Sequence, residues 1–327
     1  MSAKSNGTTS SATATNSDAK PVTVPRLNIH PDGPSMPRLV FGVWRLVAMQ
    51  EAKVNPRFVA ERIDAAVEAG MDVIDSADVY GGFEGERVLG AGLAEWGGDR
   101  QSIQIISKCG IAFPARTRPK YRVKHYNTSR EHIVASVDST LLALGTDYLD
   151  VLLIHRSDPL MDADDTADGL ETVCGAGKVR HVGVSNFQPH QLSLLQSRLD
   201  RPLITNQVEF SILETEALDD GTLDQCQRGR VSPMIWSPLA GGRLFASKEQ
   251  RETRIRKVIA QVEHKHEGVS SAQVMLAWVL NHPSKPIPVV GTTRLDRIKS
   301  YAAACDLQLD RQEWFAILEA AQGAPVP

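Results

Sequence analysis

The sequence predicts a single (β/α)8 barrel with a C-terminal helix, preceded by a disordered N-terminal tail, and three observations carry that prediction. From Arg38 onward, eight short apolar runs alternate with polar stretches of helical period. The length of 327 residues fits either two ordinary domains or one large α/β barrel. The fingerprint G-x-G-x-x-G, which a doubly wound dinucleotide fold places after an early strand, is missing. Its nearest fragments, Gly90-Ala-Gly92 and Gly175-Ala-Gly177, are expected at helix ends, and Gly177-Lys178 lacks the upstream glycine and following Ser/Thr of a phosphate loop. One barrel from Arg38 to about Asp306, closed by a helix around Trp314, satisfies all three.

The elements follow in order. Residues 1–25 are Ser/Thr/Ala/Asn-rich without apolar periodicity, so they cannot offset their own ordering entropy and are expected to form the tail, leaving 26–327 as the barrel. Strands are expected at Leu39–Gly42, Val73–Asp75, Ile103–Ser107, Val151–Ile154, Val182–Val184, Ile204–Gln207, Met234–Trp236 and Ile287–Val290. Most are β-branched and apolar throughout, as strands of a parallel sheet buried on both faces should be. Between them, Glu86–Trp96 places Val88, Leu89, Leu93 and Trp96 on one side. Thr128 or Ser129 can cap a helix carrying Ile133, Val137, Leu141 and Leu144 as a stripe. Gly70, Gly145 and Gly177 stand where helix terminators would.

Composition excludes several functions. Thirty-six Lys plus Arg against 39 Asp plus Glu, with no long basic block, gives no footprint for nucleic acid or an anionic membrane. The apolar run Val274–Leu280 is too short to span a bilayer. Cys109, Cys174, Cys226 and Cys305 are widely spaced without a C-x-x-C pair, so they read as reduced thiols of a cytoplasmic enzyme rather than as a disulfide frame or metal site. No H-E-x-x-H occurs among the histidines, and no metal is expected.

In such barrels the active site lies at the C-terminal ends of the strands. There the sequence places Asp75, Asp78 and Tyr80 at the end of strand two, Lys108 and Cys109 at the end of strand three, His155-Arg156 at the end of strand four, Ser185-Asn186 at the end of strand five, and Gln207 with Glu209 at the end of strand six. Asp75, Tyr80, Lys108 and His155 make chemical sense together. A phenol has an ordinary pKa near 10. An ammonium about 4 Å away at an effective dielectric of about 20 supplies about 4 kcal/mol of favourable interaction with the phenolate, enough in principle to lower that pKa by up to about 3. A carboxylate beside the lysine keeps it charged, and an imidazole across the pocket orients a carbonyl oxygen. A tyrosine acid aimed at a carbonyl is useful only if hydride reaches the carbon. No side chain carries hydride, so a nicotinamide cofactor is implied.

The strings Asp75-Ser-Ala-Asp-Val-Tyr80-Gly81, Ile106-Ser-Lys108, Leu149-Asp-Val-Leu-Leu-Ile-His155, Gly177-Lys-Val-Arg-His-Val-Gly-Val-Ser185-Asn186 and Trp236-Ser-Pro-Leu-Ala-Gly-Gly242 resemble the aldo-keto reductases, in order, from about Arg38 to Arg297. Ser107-Lys108-Cys109-Gly110-Ile111, Met161-Asp-Ala-Asp164 and Gly221-Thr-Leu-Asp-Gln225 look most like the bacterial YdhF-like branch. The resemblance implies a TIM barrel that binds NADP(H) without a Rossmann domain, with Tyr80 as proton donor, Lys108 and Asp75 tuning it, and His155 orienting substrate. It also implies that Ser185, Asn186 and Gln207 hold the carboxamide of the nicotinamide and that Trp236 stacks on the ring. Ser237, Leu239 and Gly241 would follow the pyrophosphate, while Thr292 and Arg297 would sit at the 2′-phosphate. Where many relatives carry a lysine after the eighth strand this chain has Gly291, so Thr292, Thr293, Arg297 and Arg294 are left to hold that phosphate. NADPH is expected, with NADH possible.

Each residue has a plainer reading. Asp75 and Asp78 could cap turns, Tyr80 could pack on the rim, and Lys108 could be solvated or a Schiff-base nucleophile. Trp44 is either core or one wall of the substrate pocket; Arg45 reaches a phosphate or solvent. The loop Ile111–Asn127, with Phe113 and Tyr126 among its aromatics and several basic residues, is expected to cover the site and to favour anionic or polar substrates. The expected activity is NADPH-dependent reduction of a small aldehyde or ketone, without nucleic-acid or membrane partners, by a monomer or weak oligomer. A redox-sensing subunit with little turnover and a lysine aldolase are the alternatives.

Overall fold

The computed structural model describes residues 24–48 and 54–327. Of the expected tail, only Val24 and Pro25 are among them. The expected strands form one closed barrel: β1 (Val40–Gly42), β2 (Val73–Asp75), β3 (Gln104–Cys109), β4 (Leu149–Ile154), β5 (Val179–Ser185), β6 (Leu203–Glu209), β7 (Met234–Trp236) and β8 (Ile287–Val290). Neighbours in sequence are neighbours in space, every pair is parallel, and β8 returns to β1. Strands β3, β5 and β6 run past the apolar stretches that announced them, through Lys108, Arg180-His181 and Glu209. The ladder tolerates polar side chains there because the strand ends face the site or solvent.

Helices α1 (Pro56–Glu68), α2 (Gly85–Trp96), α3 (Arg130–Leu144), α4 (Ala163–Gly175), α5 (Pro189–Gln196), α6 (Thr222–Gly229), α7 (Gln250–Lys265), α8 (Ser271–Leu280), α9 (Leu295–Tyr301) and α10 (Arg311–Gln322) surround the barrel. Ser129 caps α3 by accepting from the His132 amide at 3.3 Å, and Gly145 ends it with φ 66°. The C-terminal helix α10 opens on an Asp310–Glu313 capping box and is tied to α8 by stacked indoles. Trp278 Nε1 donates to the Trp314 carbonyl at 3.1 Å, and Trp314 Nε1 returns the bond to the Trp278 carbonyl at 2.9 Å.

Side-chain parity sorts the core into two layers. Val40, Val73, Ile106, Val151, Leu153, Met234 and Ile287 fill the barrel interior, while Phe41, Ile74, Ile105, Leu152 and Ile154 face outward onto helices through Val59, Ile63, Leu89, Ile133 and Val137. Extending the inner parity two residues past Val73, Ile106, Leu153 and Met234 brings Asp75, Lys108, His155 and Trp236 to the same axis. On β6 a register shift between Leu203 and Asn206 lets Ile204 and Gln207, three positions apart, share the inner face.

Two features differ from the sequence expectation. Gly90 and Gly92 lie inside α2 rather than at its end, because a Cβ at Gly90 would collide with the Ala143 carbonyl and one at Gly92 with Val59, so these glycines set how closely α2 approaches α3 and α1. An antiparallel hairpin, Arg26–Asn28 with Ser35–Pro37, precedes the barrel. Its Ile29 and Met36 are fully buried against the interior layer and stopper the end opposite the site. The Ile29 carbonyl accepts from Ser232, and Arg26 grips Asp72 at 2.6 and 2.7 Å. The turn signal was present as Pro31-Asp32-Gly33. Among the described residues no helix is long and apolar enough to cross a membrane, and all four cysteines are unbridged.

Gly90→Ala is expected to lower the thermal midpoint through overpacking by about 1–3 kcal/mol. Gly175→Ala, where a Cβ meets nothing within 4 Å, is expected to be neutral or to stabilise by up to about 1 kcal/mol. Thermal melts of the two variants check the contrast.

Candidate active site

The four residues converge at the C-terminal mouth. Lys108 is almost fully buried, and its ammonium donates to Asp75 Oδ1 at 2.7 Å, to the Ser76 carbonyl at 2.7 Å and to Tyr80 Oη at 3.3 Å, so each of its three protons has a partner. The second Asp75 oxygen accepts from Gln207 Nε2 at 2.7 Å. His155 faces Tyr80 edge-on with ring centroids 6.1 Å apart, and its Nδ1 is sealed from solvent without a partner among the described residues.

Burial raises the Tyr80 pKa; Lys108 opposes and Asp75 reinforces that rise, and the phenol ends above its ordinary value. Lys108 does act to lower it, as expected, but the net shift is upward, because desolvation outweighs an ammonium whose charge is already engaged by Asp75. Tyr80 is a protonated phenol at neutral pH. Burial alone would depress Lys108, yet Asp75 and Tyr80 together hold it above the usual lysine value. An ammonium so held is a poor Schiff-base nucleophile, which counts against aldolase chemistry. Burial, followed by the charges of Lys108, Arg156 and Lys124, pushes His155 well below the ordinary histidine range, so it is a neutral imidazole that can hold a carbonyl oxygen by hydrogen bonding.

Behind the lysine stand two acids. Glu86, missed in the sequence reading because it sits inside an amphipathic helix, is buried and accepts from Ser107 Oγ at 2.5 Å and Thr140 Oγ1 at 2.7 Å. Burial raises its carboxyl against those two hydrogen bonds. Burial, and then the nearby Glu86, raise Asp78 well above the carboxylate range. Its main chain bonds the Lys108 carbonyl.

Asp75, Tyr80 and His155 open into a cavity of about 310 Å³ that runs along the strand ends to α9. Ser185, Asn186, Gln207, Trp236, Ser237, Leu239, Gly241, Gly291, Thr292 and Arg297 all line it. Asn186, at φ 58°, donates to the His155 carbonyl at 3.2 Å and to Ser185 Oγ at 2.8 Å, and its Oδ1 accepts from Trp236 Nε1 at 2.9 Å, which pins the indole plane. After β7 the chain winds tightly: Ser237, Ala240, Gly241 and Gly242 all have positive φ. Such a turn presents main chain, rather than side chains, to a bound group. Arg297 is exposed and has no ion-pair partner among the described residues, whereas Arg294 is taken by Asp296 at 2.7 and 3.1 Å and is not free for a phosphate. An indole face, amide and hydroxyl groups around it, a glycine turn and a free guanidinium fit an extended dinucleotide.

Trp44, 56% exposed, forms one wall as expected. Phe113 and Tyr126 do not line the cavity. Phe113 stacks on Phe83 with centroids 4.9 Å apart, and Tyr126 pairs with Ile111 in a two-stranded ribbon, because the loop closes at its base and packs its tip on Gly82 and Phe83 beside Tyr80. Arg45 donates to the Gly241 carbonyl at 2.8 Å across the groove. Tyr301 and Phe245, which carried no sequence signal, also line it.

The chain belongs to the Aldo/keto reductase family, whose profile matches residues 38–322. It is similar to the 6-dehydroglucose reductase of Agrobacterium fabrum, at 44% identity over 88% of this chain and 95% of the relative. It is equally similar to the oxidoreductase YdhF of Escherichia coli, at 44% identity over 93% of this chain and all of the relative. The thermostable aldo-keto reductase Tm1743, solved with the inhibitor epalrestat, superposes with a TM-score of 0.74 at 25% identity, covering 90% of this chain and 99% of that one. The protein is an oxidoreductase of this family.

Because the folded state holds the Glu86 proton above the pH at which the unfolded chain releases it, stability should fall as pH rises from the ordinary glutamate pKa near 4.3 through the raised value. Glu86→Gln, neutral throughout, should flatten that slope in thermal melts between pH 4 and 8. Parallel wild-type and variant curves would show that Glu86 is ionised in the fold.

Proposed function

We propose that the protein reduces an aldehyde or ketone to the alcohol with NADPH, Tyr80 giving the proton. The observation that carries this reading is the buried Asp75–Lys108–Tyr80 chain facing His155 in one groove with the unpaired Arg297. When bound, a reduced nicotinamide supplies the hydride. Trp236 offers its pinned face to the ring, Ser185, Asn186 and Gln207 offer polar atoms to its carboxamide, and Ser237, Leu239 and Gly241 run beside the pyrophosphate. Thr292 and Arg297 suit an additional phosphate, which favours NADPH over NADH.

His155, neutral, donates a hydrogen bond to the substrate oxygen and aligns it with Tyr80. As charge builds on that oxygen, Tyr80 Oη releases its proton to it. Lys108, already 3.3 Å away, stabilises the phenolate left behind without moving. Asp75 holds the lysine charged, and the phenolate regains a proton from solvent at the mouth. A hydroxylated aldehyde, as named for the Agrobacterium relative, falls within the carbonyl class proposed.

NADPH consumption with a panel of aldehydes tests the reading. Tyr80→Phe should lower kcat about 10²- to 10⁴-fold while leaving NADPH affinity intact; equal rates would remove Tyr80 from its role. Arg297→Ala should weaken NADPH binding about 10- to 100-fold in a fluorescence titration and leave NADH affinity unchanged.

A further inference from the structure

Besides Arg45, held on the Gly241 carbonyl, and Arg297, the cavity is lined by a third guanidinium that the proposed chemistry does not use. Arg156 follows His155 directly at the end of β4, is half-buried, and lines the same cavity. Its guanidinium carbon lies 5.7 Å from the centroid of the Trp236 ring. Among the described residues no side-chain oxygen bonds to it and no carboxylate lies within ion-pair distance. Several arginines of the chain are tied to acids, Arg26 to Asp72, Arg100 and Arg180 to Asp150, Arg201 to Glu171 and Arg294 to Asp296, while the half-buried Arg38, Arg254 and Arg256 donate to main-chain carbonyls instead; among the described residues Arg156 has neither kind of partner. Glu209, at the end of β6, is close enough to feel Arg156 but does not pair with it, and burial disfavours its ionised form. A half-buried guanidinium is partly desolvated, and that cost is normally offset by a carboxylate. Here no carboxylate or main-chain carbonyl among the described residues bonds to Arg156, and the cavity it lines leaves room for an anionic ligand to do so.

Adjacency to His155 decides which ligand that is. Tyr80, His155 and Arg156 line one cavity, so a molecule whose carbonyl oxygen rests on Tyr80 and His155 shares that space with the Arg156 side chain. We propose that Arg156 is the specificity-determining residue, forming a forked ion pair with a carboxylate, sulfonate or phosphate on the carbonyl substrate. This deepens the carbonyl-reductase reading and rests on it. The planar five-donor fork matches such groups bidentately, which a lysine in its place would not do.

The test compares 4-formylbenzoate and 4-formylbenzenesulfonate with the neutral isostere 4-formylbenzamide, in wild type, Arg156→Gln and Arg156→Lys, with NADPH. Wild type should favour the anions at least ~10-fold in kcat/KM, mostly through KM, the value of a charge-assisted pair. The preference should vanish in Arg156→Gln and return in part in Arg156→Lys, whereas a merely structural role would move all three substrates together. Preference for one anion over the other identifies the group the fork fits. A wild type without anion preference, or a preference surviving in Arg156→Gln, overturns the proposal. Calorimetry of 4-(hydroxymethyl)benzoate against 4-(hydroxymethyl)benzamide with the protein and NADP+ reads the same contact without turnover. Absence of turnover on every aldehyde, with anion-selective binding retained and lost in Arg156→Gln, would reject the reductase reading and keep Arg156 as an anion site. Equal binding of the two alcohols would reject the anion site.

Discussion

The site depends on one buried ion pair. Lys108 and Asp75 are removed from water at the core of the barrel mouth, and such a pair is tolerable only when every remaining donor and acceptor is satisfied. Asp75 uses one oxygen on the lysine and the other on Gln207, and the lysine spends its other protons on a main-chain carbonyl and on Tyr80. Three strands are thereby locked in relative depth, since β2 supplies the acid, β3 the base and β6 the amide. The reactive phenol is the remaining member of a network that must be complete to exist, so its position follows from the folding energetics of the barrel.

Much of this was legible in the sequence, for physical reasons. Doubly buried parallel strands must be apolar throughout, so the eight runs stood out, and the ionisable residues at the ends of the second, third, fourth and sixth lay at the mouth. What escaped notice was carried by packing or by context. Glu86 occupies an ordinary helical position, and only burial against Ser107 and Thr140 separates it from a solvated glutamate. Gly90 and Gly92 were placed at a helix end because a sequence does not show the Ala143 carbonyl and Val59 pressed against them. Phe113 and Tyr126 were drawn toward the site by loop length, but the loop pairs with itself. The sign of the Tyr80 shift depends on desolvation, a quantity no motif encodes.

Of the non-glycine residues with positive φ among those described, Phe83, Asn186, Ser237 and Ala240 lie at the same end of the barrel as function, and Arg230 and Lys285 precede β7 and β8 at the other. Asn186, Ser237 and Ala240 adopt left-handed backbone conformations without being glycine, and all three follow strands β5 and β7 at the mouth. Each is held by neighbouring hydrogen bonds: Asn186 through its side chain, and the Ser237–Gly242 turn through bonds of 2.7 and 2.8 Å. The opposite end shows the reverse economy, with a short hairpin, a bidentate Arg26–Asp72 pair and fully buried Ile29 and Met36.

That floor hairpin fixes where the chain enters the barrel. Pro25 bonds to Arg38, and Val24 sits against Gly70 in the turn that leads into β2, so the polypeptide arrives on the face farthest from the groove. The described chain therefore enters at Val24 beneath the closed floor, and the mouth is reached only by way of the strands themselves.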